Sequence, residues 1–240
     1  CSNKKYVAIS SNGEYVVIVC SNRFYVFHRS SNDPLYNKYL HDSSTLHFSA
    51  DGKYIAGTHY NDYLNYYDTA TGSLIFQLYI GIDIESSNYY ERMAMSDDGR
   101  YIAAIRGYPY RSCYDNDYVV LVDAVEREVK WTIEVDGTGI MDVDISGNGE
   151  YVVFGTSRIS DSSCEDSDRY NLYYVRVSDG QVLWQFHTYA EVHQVIISAD
   201  GQFVMAGTGN GYYQGKYRLL VWDAFNQTMI RNEYTGSEPY

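Results

Sequence analysis

Three kinds of feature are scarce in this chain of 240 residues: proline, positive charge and long apolar runs. There are 3 prolines, and no stretch carries a helix-favouring run. Lys and Arg number 18 against 31 Asp and Glu, a formal charge of −13. A phosphate backbone is held by clustered cations that release its counterions, so nucleic acid is not an expected partner. No apolar run approaches the ~20 residues needed to cross a bilayer. The first residues lack the basic and apolar regions of a signal peptide, so the chain is expected to be soluble as it stands. The 4 cysteines are not needed as staples, because a chain of this length buries about 70 to 75 per cent of its unfolded surface.

What is plentiful is tyrosine, with 28 residues. Such rings favour strands and, in excess, contact surfaces. One short motif occurs five times: SSNGEYVV at 10–17, SADGKYIA at 49–56, SDDGRYIA at 96–103, SGNGEYVV at 146–153 and SADGQFVM at 198–205. Its glycines, 13, 52, 99, 149 and 201, are 39, 47, 50 and 52 residues apart, close to the ~40 to 50 residue periods of propeller blades. Asn-Gly or Asp-Gly between apolar runs signals a hairpin. The run before it (VAIS, LHFS, MAMS, VDIS, VIIS) is strand A, and the run after it is strand B. Strand C follows a loop of variable length, as in RFYVFHR at 23–29 and RLLVWD at 218–223. Strand D follows a second turn, as in SLIFQLYI at 73–80, EVKWTIEV at 128–135 and QVLWQFHT at 181–188. Each unit reads as a four-stranded antiparallel meander with two apolar faces, so units must stack.

The S-x-[DN]-G-x-[YF]-[VI] turn, together with the endings YDTATGSLIF and SDGQVLW, resembles the WD40-like and quinoprotein-like (PQQ-like) β-propeller repeats common in archaeal and bacterial surface proteins. The resemblance covers almost the whole chain and implies an all-β propeller of five visible blades, at about 1–42, 43–90, 91–139, 140–190 and 191–240, in one domain. Only Trp222-Asp223 is a literal Trp-Asp pair; Asp68 and Asp123 keep the aspartate, and His28 and Arg176 occupy the place in the other two units. Five units leave the ring either five-bladed or part of a larger one.

In a propeller the B-to-C and D-to-A loops share one face, and here they hold nearly all the length variation, at 58–63, 81–92, 106–118, 157–170 and 207–217. Recognition concentrates on such loops. Tyr60, Tyr63, Tyr89, Tyr90, Tyr108, Tyr110, Tyr114, Tyr212 and Tyr213 would form a contact face there for a protein or a glycan, or pack down their own loops. Cys113 and Cys164 occupy the same loop of consecutive units, within reach of a disulfide in an oxidising, extracellular setting; Cys1 and Cys20 flank the first hairpin. Asp161, Glu165, Asp166 and Asp168 crowd one loop without a calcium-site spacing and read as solvated. Asn226-Gln227-Thr228 is a single N-glycosylation acceptor in a C-to-D turn.

For catalysis, His47 and Asp144 are the polar exceptions at the second position of strand A, two units apart, and read as channel lining. The chain has no nucleophile motif, no phosphate-cradling glycine loop and no Cys or His metal cluster, so no cofactor or metal is expected. Trp131 and Trp184 fall at equivalent strand D positions and read as packing. The leading expectation is a non-enzymatic extracellular propeller, a structural or interaction module that self-assembles into a surface layer or filament, without a membrane span. The alternatives are a cytosolic WD40-like scaffold and a quinoprotein-like or polysaccharide-acting enzyme.

Overall fold

The computed structural model describes residues 4–20, 22–39, 45–59, 63–81, 92–106, 117–135, 139–157, 171–188, 190–209 and 217–236. These form twenty strands in five four-stranded antiparallel sheets, and no helix occurs among the described residues. Sheet 1 is β1 (Lys4–Ile9), β2 (Tyr15–Cys20), β3 (Arg23–His28) and β4 (Tyr36–Tyr39). Sheet 2 is β5 (Leu46–Phe48), β6 (Tyr54–His59), β7 (Tyr63–Asp68) and β8 (Leu74–Tyr79). Sheet 3 is β9 (Met93–Met95), β10 (Tyr101–Arg106), β11 (Asp117–Asp123) and β12 (Glu128–Val135). Sheet 4 is β13 (Gly139–Ile145), β14 (Tyr151–Ser157), β15 (Asn171–Arg176) and β16 (Val182–His187). Sheet 5 is β17 (Glu191–Ile197), β18 (Phe203–Gly209), β19 (Arg218–Asp223) and β20 (Thr228–Tyr234). In every sheet the strands pair in sequence order, as a meander.

The five-fold motif builds the first turn of each sheet. The glycine takes a positive φ, 68° at Gly13 and 81° at Gly201, a conformation that a side chain disfavours. The Asn or Asp beside it stays out of that region, because the loop is longer than a two-residue hairpin: Ser10 N–H donates to Tyr15 O across four intervening residues. The serine and the Asx residue close it. Ser10 Oγ donates to Asn12 Oδ1 and accepts Tyr15 N–H, and the same pair of bonds recurs at Ser49, Ser96, Ser146 and Ser198. Local side-chain bonds to the backbone are what favour Ser, Asn and Asp in turns.

Alternation along the strands gives each sheet two apolar faces, and consecutive sheets bury them against each other. Val17, Val19, Phe24 and Val26 of sheet 1 pack on Leu46, Ile55 and Tyr67 of sheet 2. Ala56, Leu64, Tyr66 and Phe76 of sheet 2 meet Met93, Ile102, Ala104 and Val120 of sheet 3. Ala103, Val119 and Leu121 of sheet 3 meet Val143, Val152 and Phe154 of sheet 4. Val153, Leu172 and Tyr174 of sheet 4 meet Val195, Val204, Leu220 and Trp222 of sheet 5. None of these four cores joins sheet 5 to sheet 1.

Candidate functional site

The first strands of all five sheets line one cavity of about 460 Å³, with Tyr6, His47, Met93, Asp142, Asp144, Gln194 and Ile196 in its wall together with Arg92, just before β9. Arg92 Nη1 lies 3.1 Å from Asp142 Oδ1. The other Asp142 oxygen accepts Val195 N–H at 2.8 Å. Asp144 is held by two backbone donors, Ile197 N–H at 2.9 Å from sheet 5 and Ile145 N–H at 2.9 Å from its own strand. Burial pushes the Asp144 carboxyl up to about 6 against the pull of those donors. It raises Asp142 too, opposed by the Arg92 guanidinium. His47, also in the wall, is pushed down to about 4 by burial and is neutral at pH 7. No hydrogen bond joins His47 to Asp144, which lie on β5 and β13 with β9 between them. The two carboxylates therefore act as acceptors that tie sheet 4 to sheet 5.

The joint between consecutive sheets has a repeated chemistry that the sequence did not reveal. Four of the five motif aromatics lie on the turn glycine of the next sheet. A Cβ built on Gly52, Gly99, Gly149 or Gly201 would meet the ring of Tyr15, Tyr54, Tyr101 or Tyr151 at 3.1, 2.9, 2.9 or 2.3 Å. The turns also bond to one another in sequence: Asn12 N–H to Ala50 O, Ala50 N–H to Asp97 O, Asp97 N–H to Gly147 O and Asn148 N–H to Ala199 O. Rings further out donate in the same direction. Tyr66 OH reaches Gly99 O and Tyr174 OH reaches Gly201 O, both at 2.8 Å. Tyr36 OH donates to Thr69 O, Trp131 Nε1 to Val177 O and Trp184 Nε1 to Ala224 O. The expected packing role of Trp131 and Trp184 thus includes a hydrogen bond to the neighbouring sheet.

At the two ends the same residue positions are uncovered. Val7 and Ile9 of β1 are 57% and 64% exposed, whereas Leu46, Met93, Val143 and Val195, which occupy the Val7 position in the other sheets, are buried. On sheet 5, Ile196, Phe203 and Met205 are 50%, 43% and 40% exposed, although Val17, Ala56, Ala103 and Val153 are fully buried at the Met205 position.

Of the tyrosines assigned to the loop face, Tyr63 begins β7, half-buried, with its ring edge-on to Tyr79 at 5.5 Å. Tyr60, Tyr89, Tyr90, Tyr108, Tyr110, Tyr114, Tyr212 and Tyr213 lie outside the described residues, as do Cys1, Cys113, Cys164 and the acidic residues 161, 165, 166 and 168. Cys20, at the end of β2, is buried and disulfide-bonded. Asn226 is exposed in the turn between β19 and β20, where its Nδ2 donates to Asp223 Oδ2 at 2.8 Å. Among the described residues no helix is long and apolar enough to cross a membrane. No protein-family model matches the chain, and no curated protein sequence matches it.

Proposed function

We propose that the five sheets are blades of a β-propeller and that the chain is a non-enzymatic structural or interaction module of the cell surface or extracellular space. Its partner is a protein, another copy included, or a glycan. The observation that carries this reading is the apolar surface gathered on the end sheets, at Val7, Ile9, Ile196, Phe203 and Met205. Apolar surface in contiguous patches marks interaction sites, whereas scattered exposed residues do not. In sheet 1 the patch runs across three strands, because Val7 and Ile9 pair with the half-buried Ile18 and Val16, and these pair with Tyr25 and Phe27. The cavity supports the non-enzymatic part, since the oxygens of Asp142 and Asp144 are engaged by backbone N–H groups and Arg92. The disulfide at Cys20 suits an oxidising compartment.

The test pairs binding with turnover. The chain is titrated against itself and against an immobilised cell-surface polysaccharide, and in parallel is assayed with glycoside and quinone-linked substrates. Saturable association without turnover is expected. Turnover that disappears in Asp144→Asn, with no association, would overturn the reading.

A further inference from the structure

We infer that the exposed faces of sheets 5 and 1 are the two halves of one joint, and that the face of sheet 5 docks head-to-tail on sheet 1 of a second copy of the chain. This rests on the interaction-module reading and names the partner. Four times, the ring of one sheet lies on the turn glycine of the next. Phe203 occupies the ring position in sheet 5 and is exposed. Gly13 occupies the glycine position in sheet 1, and a Cβ there would meet nothing within 4 Å. Sheet 5 thus presents a ring without a seat, and sheet 1 a seat without a ring.

The surrounding positions match in the same way. Met205 pairs on one side with the half-buried Val221 and on the other with Ile196, which also lines the cavity, and the three form an apolar row. Val7 and Ile9 offer the corresponding row on sheet 1. In the four internal joints the residues equivalent to Met205 and Val221 (Val17 and Val26, Ala56 and Tyr66, Ala103 and Leu121, Val153 and Tyr174) are buried against the next sheet, whereas the Ile196 position holds Ala8, His47, Ala94 or Asp144. The turn-to-turn bond would run from a backbone N–H at Ala199 or Asp200 to Ser11 O of the next copy, as Ala50 N–H runs to Asp97 O. At the outer strand Arg231 stands where other sheets carry Tyr36, Trp131 or Trp184, each register partner of the strand C residue equivalent to Val221. A guanidinium there keeps the donor and replaces the ring. A second copy is a partner that necessarily carries the complementary half. Because the two halves differ, the joint is heterologous, so it propagates as a filament or closes as a ring of copies.

The experiment is sedimentation velocity on the 240-residue chain over a wide concentration range, with Val7→Glu and Met205→Glu. Both substitutions fall on exposed residues, and retention of fold is read from circular dichroism and the thermal midpoint. The wild type is expected to grow into oligomers as concentration rises. Each variant alone is expected to associate at least tenfold more weakly, and an equimolar mixture is expected to form a one-to-one heterodimer and nothing larger, since one intact joint remains. Should either glutamate variant unfold, Gly13→Ala, which adds one methyl at the seat, is expected to give the same loss with the fold kept. A wild type that stays monomeric overturns the inference. If Gly13→Cys with Phe203→Cys then crosslinks within one chain, the two faces close on each other instead. A monomer that still binds the polysaccharide overturns the joint alone, whereas a monomer that binds nothing and turns over substrate overturns the module reading as well. Failure of the mixed variants to pair would also overturn it.

Discussion

Gly13 and Gly201 have the same backbone conformation and opposite surroundings, so one substitution at both separates strain from packing. Alanine at either must adopt a left-handed φ, which costs about 1 to 2 kcal/mol. At Gly201 the new methyl also meets Tyr151 Cδ2 at 2.3 Å, and overpacking of this kind adds about 1 to 3 kcal/mol. Urea denaturation at low protein concentration is therefore expected to show Gly201→Ala about 2 to 5 kcal/mol less stable than wild type, and Gly13→Ala within about 2 kcal/mol. The cavity residues give a second prediction. The folded pKa of Asp144, about 6, lies above that of a free aspartate, so its protonated form favours folding and that contribution is lost as pH rises from about 4 to 6. The folded pKa of His47, about 4, lies below the ordinary value, so its contribution is present above about pH 6.5 and is lost as pH falls toward 4. The two slopes oppose each other over the same window, with Asp142 adding to the sense of Asp144. Asp144→Asn is expected to unmask a denaturation midpoint that falls as pH drops from 6.5 to 4, and His47→Gln one that falls as pH rises from 4 to 6. Midpoints that move in parallel for both variants would show that neither burial governs the titration.

At the scale of the strand and turn, the rings that cross between sheets carry their own prediction. Tyr174 is stacked between Tyr151 and Trp184, with centroids 5.0 and 5.2 Å away, and its OH donates to Gly201 O. Tyr174→Phe keeps the stack and leaves that carbonyl without its phenol donor. A loss of about 1 to 3 kcal/mol is expected from the unmade bond, read as a lower urea midpoint with an unchanged m-value. An unchanged midpoint would mean that water replaces the phenol. These contacts also explain what the sequence did and did not disclose. Strands A to C of every unit were legible because their apolar residues alternate and the Ser-x-Asx-Gly turn recurs. The fourth strands of the first and last units were not singled out, since β4 is four residues of YNKY and β20 is mostly exposed. The motif read as a turn because its serine, Asx and glycine act within the turn. Its aromatic acts on the glycine of the next unit, 37 residues on from Tyr15 to Gly52 and 50 from Tyr151 to Gly201, a distance that no local periodicity records.

For the whole molecule, the pattern of burial sets an order of unfolding. Each internal sheet is covered on both faces by its neighbours, while sheets 1 and 5 each have one face in a core and one largely in water. The same strand pattern occurs in covered and uncovered sheets, so Val7 and Val195 look alike in sequence and only the packing distinguishes them. Each sheet contributes its own stability plus an interface with each neighbour it packs on, so those with one interface open first. Amide hydrogen exchange on dilute protein is expected to show faster exchange in β2 and β18 than in β6, β10 and β14, the equivalent strands of the inner sheets. Docking of copies through the end faces adds the missing interface, so raising the concentration should slow β2 and β18 together and leave the inner strands unchanged. The formal charge of −13 makes copies repel one another, and salt screens that repulsion over about 10 Å at 0.1 M while leaving apolar burial intact. The protection gained by the end strands should therefore appear at lower protein concentration as salt is raised. Joints held mainly by ion pairs would shift the opposite way, and uniform exchange across all five sheets in dilute protein would mean that the first and fifth faces are already covered within a single chain.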